Sequence, residues 1–325
     1  MTLSRRHLLA AGALAAAPVA AAPPRKARIA ITLDLEMARN FPRWEDTHWD
    51  YEKGNLDTAT KDYAVAAAER VAARGGRIHF FLVGRALEQA DVSWLEQIHR
   101  AGHPIGNHTY DHVALLAASA TDLQYRFQRA PWLVAGRAPA DVIRENISLA
   151  TAALRDRLGI APAGFRTPGG FADGLRGRDD LQRMLLDLGF PWVSSLYPAH
   201  PNSTPGTDPT EAVIADIVAA QARAQPFAYP SGLVEIPMSP VSDIGAFRNG
   251  RWSLDAFVAV TKRCVERVIA DRGVFDFLGH PACLNVVDPR FRTLDVICDA
   301  VAAAGERAEF ADLGTIAADH RLPAG

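Results

Sequence analysis

Cysteine is scarce, neither sign of charge is in marked excess, and no long apolar run occurs beyond the first 22 residues. Only Cys264, Cys283 and Cys298 occur in 325 residues, none in a CxxC pair. That excludes a disulfide scaffold and a thiolate metal cage, and the odd count leaves at least one thiol unpaired. The expectation for all three is the role of a small buried apolar residue. Against 35 Lys+Arg stand 37 Asp+Glu, a net charge of −2. No basic surface of the kind that nucleic acid requires is present. Nor does any GxGxxG follow the first strand-like run, as a dinucleotide-binding fold would need. What is there is ordinary core material: 49% of the residues are hydrophobic, which rules out a disordered chain.

Residues 1–22 read as an export address. Arg5 and Arg6 precede 15 uncharged residues from Leu8 to Ala22, with small residues at Ala20 and Ala22. Ser4-Arg5-Arg6-His7-Leu8-Leu9 resembles a twin-arginine signal. The run is Ala-rich and shorter than the roughly 20 strongly apolar residues of a membrane span. Its removal would leave 33 basic against 37 acidic residues, a charge of −4, on an exported protein without a membrane span. Residues 23–27 then read as a linker, and 28–320 as one folded domain.

Beyond the linker, strand and helix alternate. Strands are predicted over 28–34, 77–83, 104–107, 163–166, 191–195, 233–238 and 274–279. Helices are predicted over 58–74, 140–158, 178–188, 254–272 and 290–304, each closed by a following glycine. Helix-glycine-strand order repeated in this way implies parallel strands with crossover helices. About seven such units favour an α/β fold of the distorted (β/α)7-barrel type, with an open doubly wound sheet as the alternative. In a barrel, polar clusters at the C-terminal ends of strands converge, whatever their separation in sequence.

Four strand ends carry such clusters. The first strand ends Thr32-Leu33-Asp34-Leu35-Glu36. Alternation puts Asp34 and Glu36 on one face, their Cα atoms roughly 6.6–6.8 Å apart. Two carboxylates at one mouth call for a cation between them; two solvated acids are the alternative. The third ends Asn107-His108-Thr109-Tyr110-Asp111-His112, where two histidines four apart can reach one metal ion. The fourth runs into Arg166-Thr167-Pro168-Gly169-Gly170, a cation at the tip of a stiff turn, for catalysis or for a structural ion pair. The last ends Asp276-Phe277-Leu278-Gly279-His280. Here Asp276 shares a face with His280 and is expected to hold it protonated as a general acid.

In this order, TxDxE, HTxxH, RxPGG and LxH before a proline resemble the motifs of the polysaccharide deacetylases with a NodB homology domain, carbohydrate esterase family four. The resemblance runs from residue 32 to residue 280. It implies a distorted barrel of about seven βα units that removes acetyl groups from N-acetylated glycans. It also implies Asp34 as general base, His108 and His112 as metal ligands, Arg166 as the residue that positions the base and His280 as general acid. Leu278 would wall the acetyl pocket, with Pro168 and Gly169 beside it, and a backbone N–H near Tyr110 would help to hold the oxyanion. Where many members carry adjacent acids, this sequence has Leu35, so Glu36 is taken as the third ligand. The usual Asp-Trp after the fifth strand is replaced by Trp192-Val193-Ser194-Ser195-Leu196-Tyr197, which leaves Asp276 to tune the acid.

Two imidazoles and a carboxylate suit zinc, with cobalt, nickel or iron also compatible. Between the first strand and the first helix lies an aromatic stretch, Phe41 to Tyr51, whose Trp44, Trp49 and Tyr51 could stack on sugar rings or pack down onto the barrel. The same two readings apply to Trp132. Three functions follow: deacetylation of an N-acetylated glycan, the same metal-dependent chemistry on a small or cyclic amide or an acyl ester, and glycan binding by a degenerate barrel without turnover.

Overall fold

The computed structural model describes residues 26–37 and 53–320. The segments read from sequence as an export address and an aromatic loop, including Trp44, Trp49 and Tyr51, lie outside the described residues. Nine strands occur among those described: β1 Ala27–Leu35, β2 Ile78–Leu82, β3 Ile105–Asn107, β4 Phe165–Phe171, β5 Trp192–Leu196, β6 Phe227–Ala228, β7 Val234–Glu235, β8 Val274–Gly279 and β9 Ala308–Phe310. They run in the order β6-β7-β5-β4-β3-β2-β1-β8, with β9 paired to the start of β1. Every pairing is parallel except β6 with β7. The chain beyond β7 returns to β8: Ser239 N–H donates to Asp276 C=O at 2.9 Å, and Ser242 forms a bridge with Leu278. That seam brings the two ends of the curled sheet together as a distorted barrel.

Alternation along β1 explains the layering. Ile29, Ile31, Leu33 and Leu35 face outward and pack with Ala64, Ala67 and Val71 of helix Thr58–Ala72 and with Phe257 of helix Leu254–Asp271. Ala30, Thr32 and Asp34 face the interior. The deep interior is apolar, built from Ala30, Phe81, Trp192, Val234, Ile236 and Val274. Above it the interior turns polar, with Thr32, Asp34, Arg166, Ser194 and Asp276 all buried. Loss of water from that upper layer is what gives its charges their leverage.

All seven predicted strands are present. The run 233–238 is assigned as strand only over Val234–Glu235, yet Ile236 and Met238 still donate backbone hydrogen bonds to Val193 and Leu196 of β5. The five predicted helices are also present, as Thr58–Ala72, Pro139–Leu158, Asp179–Asp187, Leu254–Asp271 and Arg292–Ala304. Among the described residues, β6, β9 and five short helices, including Ser93–Arg100 and Glu211–Ala220, go beyond the sequence reading. A π-helical turn at Ile244–Asn249 does so as well. The three cysteines are buried and free. Among the described residues no helix is long and apolar enough to cross a membrane.

Candidate active site

Arg166 organises the polar layer. Its Nη1 donates to Thr32 Oγ1 at 2.7 Å and Asp34 Oδ1 at 3.0 Å, its Nη2 to Asp276 Oδ2 at 2.6 Å, and Nε and Nη2 both reach Ser194 Oγ, at 3.2 and 3.1 Å. The guanidinium carbon lies 4.4 Å from the centre of the Phe81 ring. This corrects the expectation of a cation at the tip of a turn. Pro168-Gly169-Gly170 forms an irregularity within β4, where the register with β5 shifts, and Arg166 lies inside the barrel with no exposed surface. The structural ion pair and the positioning of Asp34, alternatives in the sequence, are one arrangement here. With Oδ1 held by Arg166, Asp34 turns Oδ2 toward His108 Nε2, at 3.7 Å, and His280 Nε2, at 4.0 Å.

Glu36, two residues beyond Asp34, brings Oε1 to 3.1 Å from His108 Nε2 and 3.0 Å from His112 Nε2. The loop that presents the histidines is shaped by its own polar residues. Asn107 Oδ1 accepts from Thr109 N–H, Thr109 Oγ1 accepts from Val113 N–H, and Asp111 accepts from Arg126. Thr109 and His112 both adopt positive φ, near 60°, which folds the loop back over the end of β3. His108 Nδ1 lies 3.0 Å from Arg166 C=O, a bond that fixes the tautomer and aims Nε2 at Glu36. Burial pushes His112 down to about 4, which keeps its imidazole uncharged at neutral pH. Burial by itself would raise Glu36, but His112, Lys53 and His280 outweigh it and hold the carboxylate well below its usual range.

Two imidazoles and one carboxylate, their donor atoms within 4.8 Å of one another, form a set that fits a divalent ion. One group in the cluster was not foreseen. The ammonium of Lys53, with its residue 1% exposed, is ion-paired with Glu36 Oε2 and lies 3.5 Å from His112 Nε2.

His280 faces the same cavity, its Nε2 3.5 Å from Glu36 Oε1. The expected partner Asp276 does not touch it. Four residues along a strand span about 13 Å, so a shared face puts Asp276 deep in the barrel, where it binds Arg166 and Thr32. Burial pushes Asp276 up to about 6, against the pull of Arg166. The acid beside His280 is Asp243, which is fully buried: its Oδ1 lies 2.8 Å from His280 Nδ1, and its Oδ2 accepts from His280 N–H at 2.7 Å. Burial opposes a charged imidazole, but Asp243 and then Glu36 overcome it and raise His280 well above its ordinary value. Asp243 follows the bridge at Ser242 and caps the Ile244–Asn249 turn, outside the four strand-end clusters read from sequence.

For a reaction in which His280 donates a proton, Asp243→Asn should move the alkaline limb of kcat/KM to lower pH by about one unit, since loss of the anion lowers the pKa of the imidazole. A pH–rate profile with an unmoved alkaline limb would show that Asp243 does not set that acid.

The groups open into a cavity of about 230 Å³ lined by Asp34, Glu36, His112, Gly169, Leu278 and His280 on one side. Tyr197, Met238, Ser242, Ile244 and Asn249 form the other. Leu278 and Gly169 are thus among its lining residues. Gly169 has φ of +76°, and no atom lies within 4 Å of where a Cβ would be, so its backbone faces open space. Pro168 lines an adjoining cavity with His112 and Tyr125. Tyr110 does not line the pocket: its hydroxyl donates to Glu88 at 2.7 Å and its C=O accepts from Arg85 N–H. Trp132 is 72% exposed and does not pack onto the barrel.

Residues 54–182 match the family profile of the polysaccharide deacetylases. Over that stretch the chain is similar to the polysaccharide deacetylases. The profile takes in His108, His112 and Arg166, and with them Lys53's neighbour Gly54. No curated protein matches the chain. Among solved structures, a Mycobacterium smegmatis protein assigned as a polysaccharide deacetylase shares 18% identity, with a TM-score of 0.60 over 95% of this chain and 98% of its own. One from Pseudomonas aeruginosa PAO1 with the same assignment shares 15%, with a TM-score of 0.59 and 90% of each chain covered. Puue allantoinase shares 15%, with a TM-score of 0.57 and 91% of each chain covered. These likenesses establish the (β/α)7 deacetylase fold.

Proposed function

We propose that this chain is a metal-dependent hydrolase that removes N-acetyl groups from an N-acetylated glycan. The observation that carries the reading is the convergence of Glu36, His108 and His112 on one point, with Asp34 and His280 at its sides. A divalent ion held by those three residues, zinc in the first instance, would supply Lewis-acid polarisation of the acyl carbonyl and a lowered pKa for water. Asp34, steadied by Arg166, would take the proton of the attacking water through Oδ2. His280, kept protonated by Asp243, would deliver a proton to the leaving amine, without which the nitrogen leaves badly. Leu278 and Met238 offer the methyl group an apolar wall. The twin-arginine-like start of the sequence supports an exported enzyme acting on envelope or environmental glycans.

The test is acetate release from N-acetylated oligosaccharides. Chelation is expected to lower kcat/KM more than about tenfold and added zinc to restore it. Undiminished turnover by demonstrably metal-free protein would overturn the metal part of the reading. A second reading, hydrolysis of a small amide or acyl ester, is favoured by the modest cavity and by the wall that the Ile244–Asn249 turn raises on one side of it. A substrate panel with turnover confined to small amides or esters would select it.

A further inference from the structure

We propose that Lys53 is an internal counter-cation that weakens the hold of Glu36, His108 and His112 on a divalent ion and keeps the metal-free site assembled. The two oxygens of Glu36 are divided between two kinds of partner. Oε1 faces both imidazoles and His280, while Oε2 carries the Lys53 ammonium. An ammonium has three donors and no lone pair, so it cannot join the donor set. Its charge stands 3.5 Å from His112 Nε2, in a place where its own side chain has no exposed surface. Water screens such a charge poorly, and a dication placed among those donors meets its repulsion directly.

Lys53 is also held where it is. The next residue, Gly54, donates its N–H to Glu36 C=O, which ties the segment to the end of β1. Gly54 has φ of +89°, and a Cβ there would collide with Arg85, so glycine alone fits the turn that seats the lysine. With Arg166 between Asp34 and Asp276, and Lys53 on Glu36, three of the four buried acids around the site have cationic partners before any metal enters. The fourth, Asp243, has His280.

The inference rests on the metal assignment above, and a zinc titration separates the two. Chelator-treated full-length protein is titrated with zinc against a chromophoric chelator, for wild type, Lys53→Met and Lys53→Gln. Both variants are expected to bind zinc at least about tenfold more tightly, about 1.4 kcal/mol. A lysine that merely braced Glu36 would give the opposite sign, since its loss would loosen the carboxylate and weaken binding. Equal or weaker binding by the folded variants overturns the inference and leaves the metal assignment intact. Binding by the variants alone supports it, and binding by none of the three overturns both. The melting temperature supplies a second readout. Zinc at about 0.1 mM should raise it further in both variants than in wild type, and an equal or smaller rise in the variants overturns the inference.

Discussion

Asp34→Asn should leave the protein folded and lower kcat by about 10²–10⁴-fold, the range over which a positioned general base acts. The substitution keeps the shape of the side chain and its acceptor oxygen, so the bond from Arg166 Nη1 can persist, and Asp276 still pairs with the guanidinium. What is lost is the basic lone pair at Oδ2, the oxygen turned toward His108 and His280. KM should change little, because in the proposed mechanism the carboxylate acts on the water rather than on the sugar. Acetate release measured at saturating substrate, with the melting temperature as a control, checks the outcome. Full activity in a folded Asp34→Asn protein would remove Asp34 from the mechanism and shift the base to another oxygen of the cluster.

Arg166→Leu should destabilise the fold by about 3–5 kcal/mol, the cost of stripping the partner from buried charges. Asp34 and Asp276 would then face each other across the barrel without a cation, and Ser194 and Thr32 would lose a donor. Leucine fills part of the volume over Phe81 but satisfies none of these groups. On a domain of this size the melting temperature should fall on the order of 10 °C, measured by calorimetry. The companion variant Arg166→Lys keeps one charge without the planar fork and should recover part of that loss. A melting temperature for Arg166→Leu within about 2 °C of wild type would mean that the polar layer contributes little to the fold.

Much of this was legible in the sequence because the signals are local. Continuous apolar strands, glycine-terminated helices and polar strand ends are each written in a few neighbouring residues, and a barrel topology converts strand ends into a site. Asp34, Glu36, His108, His112 and His280 converge for that reason. What escaped depends on reach in three dimensions. Alternation assigns Asp276 a face but not a depth, and depth decides that it serves Arg166 while Asp243 serves His280. Lys53 lies 17 residues beyond Glu36 with no spacing rule to join them; only the backbone bond from Gly54 to Glu36 brings it back to the strand end. For Tyr110 the resemblance implies a role for a nearby backbone N–H; its side chain lies outside the pocket lining, with the hydroxyl on Glu88.

The seam between β8 and the chain beyond β7 has a further consequence for how such an enzyme can change. Met238, Ser242, Ile244 and Asn249 shape what enters the cavity, while Asp243, in their midst, grips the side chain and backbone of His280. Under the proposed function, one short segment therefore carries both the fit of the substrate and the strength of the acid. Natural or laboratory variation there cannot retune one trait independently of the other: lineages that drift toward a new substrate through this stretch should drift in pH optimum as well.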